Sequence, residues 1–240
     1  MNTDPATNIP PLEWTPELIK RFWDYQSIYG THHYFAKMVS KALIRRVKKH
    51  LAGDPSILDY GCGPGYLVET LLKRNYRVFG YDASPHSIKV AQERLSRHPR
   101  LLGLSSEAAS KNAYDVIFAL ELIEHLSDAA LEAALSDLRV LLSPGGRLIL
   151  TTPYKEDLEE GTVYCPQCNH LFHRMQHVRS WSEETLRQYL SQRGFEVVEL
   201  IVTDLTACYS RRPWVRLRYW LGWTKPTNLI AVCRFQRSRE

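Results

Sequence analysis

ILDYGCGPGY, residues Ile57 to Tyr66, decides how the rest of this chain is read. An apolar run ends in a carboxylate, Asp59, and glycines follow at alternate positions, Gly61, Gly63 and Gly65. A buried strand that bends this sharply brings its backbone close to a ligand, because glycine has no Cβ and tolerates positive φ. The spacing excludes two common ligands. A dinucleotide turn wants G-x-G-x-x-G, and Tyr66 occupies its third glycine position here. A phosphate loop wants Gly-Lys-Ser/Thr, where this chain has Tyr66-Leu67-Val68. What remains is a ligand without phosphate, with an ammonium end for Asp59 and a sugar diol for Asp82. Asp82 closes the next strand, in VFGYDASP, at the C-terminal edge where open α/β sheets bind ligands.

Outward from that turn the chain alternates. SILDY, RVFGYD, RLLGL, YDVIFAL and RLILTTP read as strands, and YLVETLLKRN, SPHSIKVAQERLSRH and DAALEAALSDLRVLL as helices between them. Apolar strands alternating with helices imply a parallel sheet covered on both faces. After a Ser143-Pro144-Gly145-Gly146 turn and the fifth strand, SEETLRQYLSQRG reads as a helix. FEVVELIVTDL and TNLIAVCRF then read as an antiparallel pair at one sheet edge. Residues 1–50 are expected to form a tail and a helical lid, with Thr15 as cap and Pro16 in the first turn. Residues 51–240 form the main domain, interrupted by a Cys/His-rich insert at 154–181 and a basic aromatic insert at 209–226.

A chain of 240 residues with 44% hydrophobic and 24% charged residues suits one globular domain and argues against disorder or a fibrous repeat. No apolar run reaches the roughly 20 residues of a membrane-spanning helix. The first residues lack a secretory layout, so a cytoplasmic location is expected. Five cysteines are an odd count, and none is expected to form a structural disulfide.

Taken in order, ILDYGCGPG, VFGYDASP, YDVIFALELIEHL, LLSPGGRLILTTP and GFEVVEL resemble the class I S-adenosylmethionine-dependent methyltransferases. The pattern is most similar to the ubiquinone-type O-methyltransferases, and the likeness runs from Ser56 to Phe235. It implies a Rossmann-like α/β fold: a seven-stranded, mostly parallel sheet, helices on both faces and an antiparallel last strand. It also implies S-adenosylmethionine as cofactor. Asp59, Gly61, Cys62, Gly63, Gly65 and Tyr66 would surround its methionine part, with Asp82 at the ribose, Ala83 near the adenine and Leu120 lining the site after the fourth strand. The family's acidic residue after the third strand has no clear match; Ser106 and Glu107 stand there, and Ser106 is taken as the contact.

Methyl transfer from a sulfonium needs an aligned acceptor and exclusion of water more than covalent help from the protein. A hydroxyl acceptor also needs a base or a cation. Glu121, Glu124 and His125 follow the fourth strand, and helical spacing would bring them toward one point. They read either as a base centred on His125 or as ligands of a divalent metal completed by His177, as in small-RNA 3′-end methyltransferases that share the E-x-x-E-H pattern. Cys165-x-x-Cys168 reads as half of a zinc site, with His170, His173 or His177 to complete it and His173 preferred. Both metal readings compete for His177.

FWDYQSIYGTHHYF is expected to close the pocket as an aromatic lid, its Trp23-Asp24 echoing a WWD element of the ubiquinone-type enzymes, although its aromatics equally suit plain helix packing. The segment 211–223 mixes arginines with tryptophans and is expected to touch the inner face of a membrane, with nucleic acid a weaker choice. The resulting expectation is O-methylation of a small or lipid-linked metabolite. Methylation of RNA 3′ ends, or a non-catalytic cofactor- or zinc-binding partner protein, are the other readings.

Overall fold

In the computed structural model the described residues are 9–30, 34–95, 97–107, 113–208, 210 and 212–235. His32 and His33 of the lid segment and Arg211 of the basic insert lie outside them. Helices α1 (Pro16–Tyr29) and α2 (Phe35–Arg46) come first, and the Thr15 side chain caps α1 by accepting the Leu18 amide (3.3 Å).

The alternating core follows: β1 (Ser56–Tyr60), α3 (Tyr66–Leu72), β2 (Arg77–Tyr81), α4 (Pro85–Leu95), β3 (Leu101–Ser105), β4 (Tyr114–Leu120), α5 (Asp128–Leu141) and β5 (Leu142–Pro153). The chain ends with β6 (Thr162–Cys165), β7 (His170–His173), α6 (Glu183–Ser191), β8 (Phe195–Thr203), α7 (Leu205–Cys208), α8 (Pro213–Trp220) and β9 (Asn228–Phe235). Seven strands form one sheet in the order β3-β2-β1-β4-β5-β9-β8, and only β9 runs against the others, between β5 and β8.

Strand alternation divides the core in two. Ile57, Val116, Phe118, Ile149 and Ile230 face α2, α3 and α4, while Leu58, Ile117, Leu148, Leu150 and Ala231 face α5 and α6. Hydrophobic side chains on both faces of the central strands are what a sheet covered on both sides requires.

Two local readings change. The Ser143 to Gly146 turn lies inside β5: Leu142 already pairs with Tyr114, and pairing resumes at Arg147 with Val116 around the bulge. The Cys/His insert holds a two-stranded antiparallel hairpin, β6–β7, where no strands were expected.

The glycine turn is built as its sequence demands. Gly61, Gly63 and Gly65 all have positive φ, and a Cβ on Gly65 would lie 2.8 Å from Leu95 Cδ1 and 3.2 Å from Ala91 Cβ on α4. Gly65→Ala is therefore expected to cost about 1–3 kcal/mol of stability, read as a lower urea midpoint. An unchanged midpoint would show that α4 yields freely at this contact.

Candidate active site

The C-terminal ends of β1 and β2 are tied together by the turn between them and α3. The amides of Gly61 and Cys62 both donate to Tyr81 O (2.7 and 2.9 Å), and Gly63 N–H donates to Asp82 Oδ2 (2.8 Å). Asp82 Oδ1 accepts the Ser84 amide (2.9 Å), so both carboxylate oxygens are aimed by backbone at the mouth of the turn. Asp59 is 2% exposed and takes a backbone hydrogen bond from Val68 in the first turn of α3. Burial, reinforced by the charge of Asp82, pushes its carboxyl up to about 8. Cys62 is buried behind the turn, and Leu120 is buried at the end of β4. Ala83 is exposed beside Asp82, and Ser106 follows β3 at the same edge. Tyr66 packs against Tyr34, with Arg94 over its ring.

The N-terminal helices cover this edge. Tyr34 lies over the turn so closely that a Cβ on Gly63 would be 2.9 Å from its Cε1. The Trp23 ring meets the His125 ring edge to face at 4.7 Å, and its Nε1–H donates to Gln176 Oε1 (3.0 Å). Asp24 accepts from Ser84 Oγ (3.0 Å), beside Asp82. Tyr25 and Tyr29, also part of the expected lid, point outward and are exposed. Trp23 and Tyr34 thus face this edge, and Tyr25 and Tyr29 do not.

Beyond the lid, the chain from Glu121 to Ser127 is a turn rather than a helix, because α5 starts only at Asp128. Glu121 has a φ of 43°, a left-handed conformation uncommon for a glutamate, held by its amide donating to Thr151 O (3.0 Å). This turn converges ligand atoms differently from a helix. Glu124, His125 and His177 each place one ligand atom within 4.8 Å of the others, and Glu121 is outside that trio although its charge acts on Glu124. Glu124 is fully buried; its Oε2 accepts from Thr152 Oγ1 (3.2 Å), while Oε1 has no partner. His125 Nδ1 is buried without a partner, and Gln176 Nε2–H fixes the backbone here by donating to His125 O (2.9 Å). Burial, with His177 close by, lowers the His125 pKa to about 3, so the ring is neutral. Burial raises Glu124 well above the usual carboxylate range and Glu121 to about 8.

Glu156, which sequence reasoning missed, organises the histidines. His177 Nδ1 donates to Glu156 in a short hydrogen bond, which leaves Nε2 as the ring's free lone pair. Glu156, His173 and His177 also converge. His173 Nδ1, however, accepts the amides of Met175 (3.3 Å) and His177 (3.1 Å). Its neutral ring therefore carries the proton on Nε2, which is 3.6 Å from Glu156 Oε1 and makes no hydrogen bond, and offers no free lone pair to a metal. Gly161 permits this placement, since a Cβ there would overlap the His173 ring.

The cysteine reading needs correction. Cys165 and Cys168 are at the tip of the hairpin, where Cys165 pairs with His170, whereas His173 pairs with Thr162 at its base. Three residues of strand, roughly 10 Å, separate His173 from the thiols. His177 belongs with Glu124 and His125. Among the described residues the two cysteines join no convergent group of three ligands. The amide and thiol of Cys168 hold Cys165 below the ordinary thiol range, and the hydrogen bond between the thiols raises Cys168.

A family model described as a methyltransferase domain matches residues 31–200. The chain belongs to that family. It carries a methyltransferase domain over most of its length. The human mitochondrial ubiquinone biosynthesis O-methyltransferase is 30% identical over 92% of this chain, which spans 63% of that protein's length. The ubiquinone biosynthesis O-methyltransferase of Leptothrix cholodnii is 28% identical over 91% of this chain and 93% of its own. Among solved structures, the Burkholderia thailandensis 1,6-didemethyltoxoflavin-N1-methyltransferase with bound S-adenosylhomocysteine has a TM-score of 0.65, at 16% identity, covering 95% of this chain and 94% of its own. That likeness speaks for the fold of this methyltransferase.

Proposed function

We propose that this methyltransferase acts on an oxygen of a small or lipid-linked metabolite, with a divalent cation held by Glu124, His125 and His177. One observation carries the reading: Glu124 Oε1, buried without a partner, converges with His177 and with His125, whose Nε2 is 3.9 Å away, at the ligand edge of the sheet. Buried polar atoms are rarely left unpaired, and a partnerless carboxylate oxygen beside two imidazoles suits a cation better than packing. When bound, such an ion lowers the pKa of a coordinated hydroxyl and polarises it toward attack.

The chain's own residues do the rest. Asp59 and Asp82 hold the cofactor's amino-acid and ribose ends against the glycine turn, Trp23 and Tyr34 exclude water, and Glu156 and Thr152 orient the ligands. A vicinal dihydroxyphenol, which offers adjacent oxygens to a cation and a flat ring to Trp23, suits this pocket, and the relatives' name, ubiquinone biosynthesis O-methyltransferase, supports oxygen as the acceptor atom.

Labelled S-adenosylmethionine would be supplied with vicinal dihydroxyphenols bearing short and long isoprenoid tails, before and after chelation. The expected result is label on phenolic oxygen, at least tenfold less after chelation, restored by added divalent ion. Undiminished transfer after chelation would remove the cation from the proposal, and label appearing instead on RNA 3′ ends would remove the acceptor.

A further inference from the structure

The segment from Leu205 to Pro226 contains five of the chain's 31 basic residues and none of its 26 acidic ones, so the charges of the remaining chain balance. The whole net charge of +5 is thus concentrated in one excursion between β8 and β9. The same segment exposes its largest apolar side chains. Trp214, Leu217, Trp220, Leu221 and Trp223 are 55%, 58%, 75%, 49% and 66% exposed, and no other described tryptophan is exposed.

Helix α8 explains how this comes about. Val215 and Tyr219, one turn apart, face inward, and Tyr219 Oη shares a hydrogen bond with Thr203 Oγ1 (2.9 Å). Trp214, Leu217, Trp220 and Leu221 recur at three and four residues and form a separate outward stripe. After the helix, Gly222 turns at positive φ and Trp223 N–H donates back to Arg218 O (2.8 Å), which keeps Trp223 beside that stripe. A surface helix normally buries such a stripe and exposes its charges. This one points its widest apolar face into solvent, with Arg212, Arg216 and Arg218 along it.

We propose that α8 and the turn to Trp223 form a docking surface for a bilayer bearing anionic lipids. Tryptophans at the headgroup level, leucines between them and flanking arginines are the composition of a helix lying in the membrane interface. Single-stranded nucleic acid would use the tryptophans for stacking, but it gives no reason for Leu217 and Leu221 to continue the apolar stripe. The position adds a second argument. Thr203, Asn228 and Pro153 share one register row at the C-terminal ends of β8 and β5. Through Tyr219, α8 is therefore anchored at the edge of the sheet that carries the glycine turn and the Glu124 trio, and a docked bilayer lies at the edge where an acceptor enters.

The test needs no acceptor. The full chain would be floated with vesicles of phosphatidylcholine alone and with 30% phosphatidylglycerol, alongside Trp220→Ala/Trp223→Ala and Arg216→Glu/Arg218→Glu variants whose folding is checked by thermal melting and cofactor binding. Partition onto the anionic vesicles should fall at least tenfold in either variant and at least tenfold in 0.5 M salt for the unmodified chain. Tryptophan emission should shift to the blue and be quenched by brominated lipid. No partition at millimolar anionic lipid would overturn the proposal. So would retention on single-stranded RNA with vesicles left unbound, or a concentration-dependent dimer that the tryptophan variant abolishes in place of lipid binding.

Discussion

Glu124→Gln is expected to lower kcat/KM by roughly 10²-fold or more while leaving the melting temperature of the metal-free protein unchanged or raised. The side chain is fully buried, and its Oε2 accepts from one hydroxyl, that of Thr152. An ionised carboxylate in such a place is costly unless a positive charge faces it. In the metal-free fold burial already drives it toward the neutral acid. The amide has the same size and can keep the Thr152 contact through its oxygen, so packing loses little. What it loses is the anionic oxygen at the point where His125 and His177 converge, and removal even of groups that merely support metal ligands costs 10- to 100-fold. Steady-state kinetics, ion content of the purified protein and thermal scans after chelation read the three quantities separately. A variant that melts lower but turns over normally would make Glu124 a packing residue.

The fold was legible because the strand–helix rhythm and the glycine turn are local properties, written within ten or fifteen residues of chain. The site was legible where one segment carries it. Asp59, the glycines and Asp82 lie on adjacent strand ends, and their placement follows once β1 and β2 pair. It was illegible where distant segments meet. Trp23 reaches Gln176 across 153 positions, and Glu156 shows nothing in its own neighbourhood that distinguishes it from other surface acids. The assignment of His173 to the cysteines failed for a related reason. Closeness along the chain suggested closeness in space, but an extended hairpin carries its base away from its tip at about 3.3 Å per residue. The E-x-x-E-H segment shows the converse: helical spacing was the wrong geometry for it, yet a turn with a left-handed Glu121 still joined Glu124 and His125.

Asp59→Asn is expected to stabilise the cofactor-free protein increasingly as pH rises from about 4 to about 8, and to weaken S-adenosylmethionine binding on the order of tenfold or more. Burial is the first cause of the raised Asp59 pKa, the nearby Asp82 charge the second, and the Val68 amide opposes them. Unfolded, the same group titrates near its ordinary value of about 3.9. Below that pH both states hold the proton and the group contributes nothing. Between about 4 and 8 the unfolded chain has released a proton that the native state keeps, so raising the pH favours unfolding; above 8 the penalty levels off. Asparagine removes the titration and still accepts the Val68 amide through its oxygen. The gain over the parent protein should be near zero at pH 4 and on the order of a few kcal/mol at pH 8, or roughly 5–10 °C in melting temperature. The cofactor's ammonium supplies to the ionised form the charge that the apo fold lacks, so the parent protein should recover much of that gap once the cofactor binds, and the variant should not. Melting curves of both proteins at pH 4, 6 and 8, with and without S-adenosylmethionine, check this. An equal difference at all three values would mean that Asp59 is ionised in the fold, with a counter-charge already beside it.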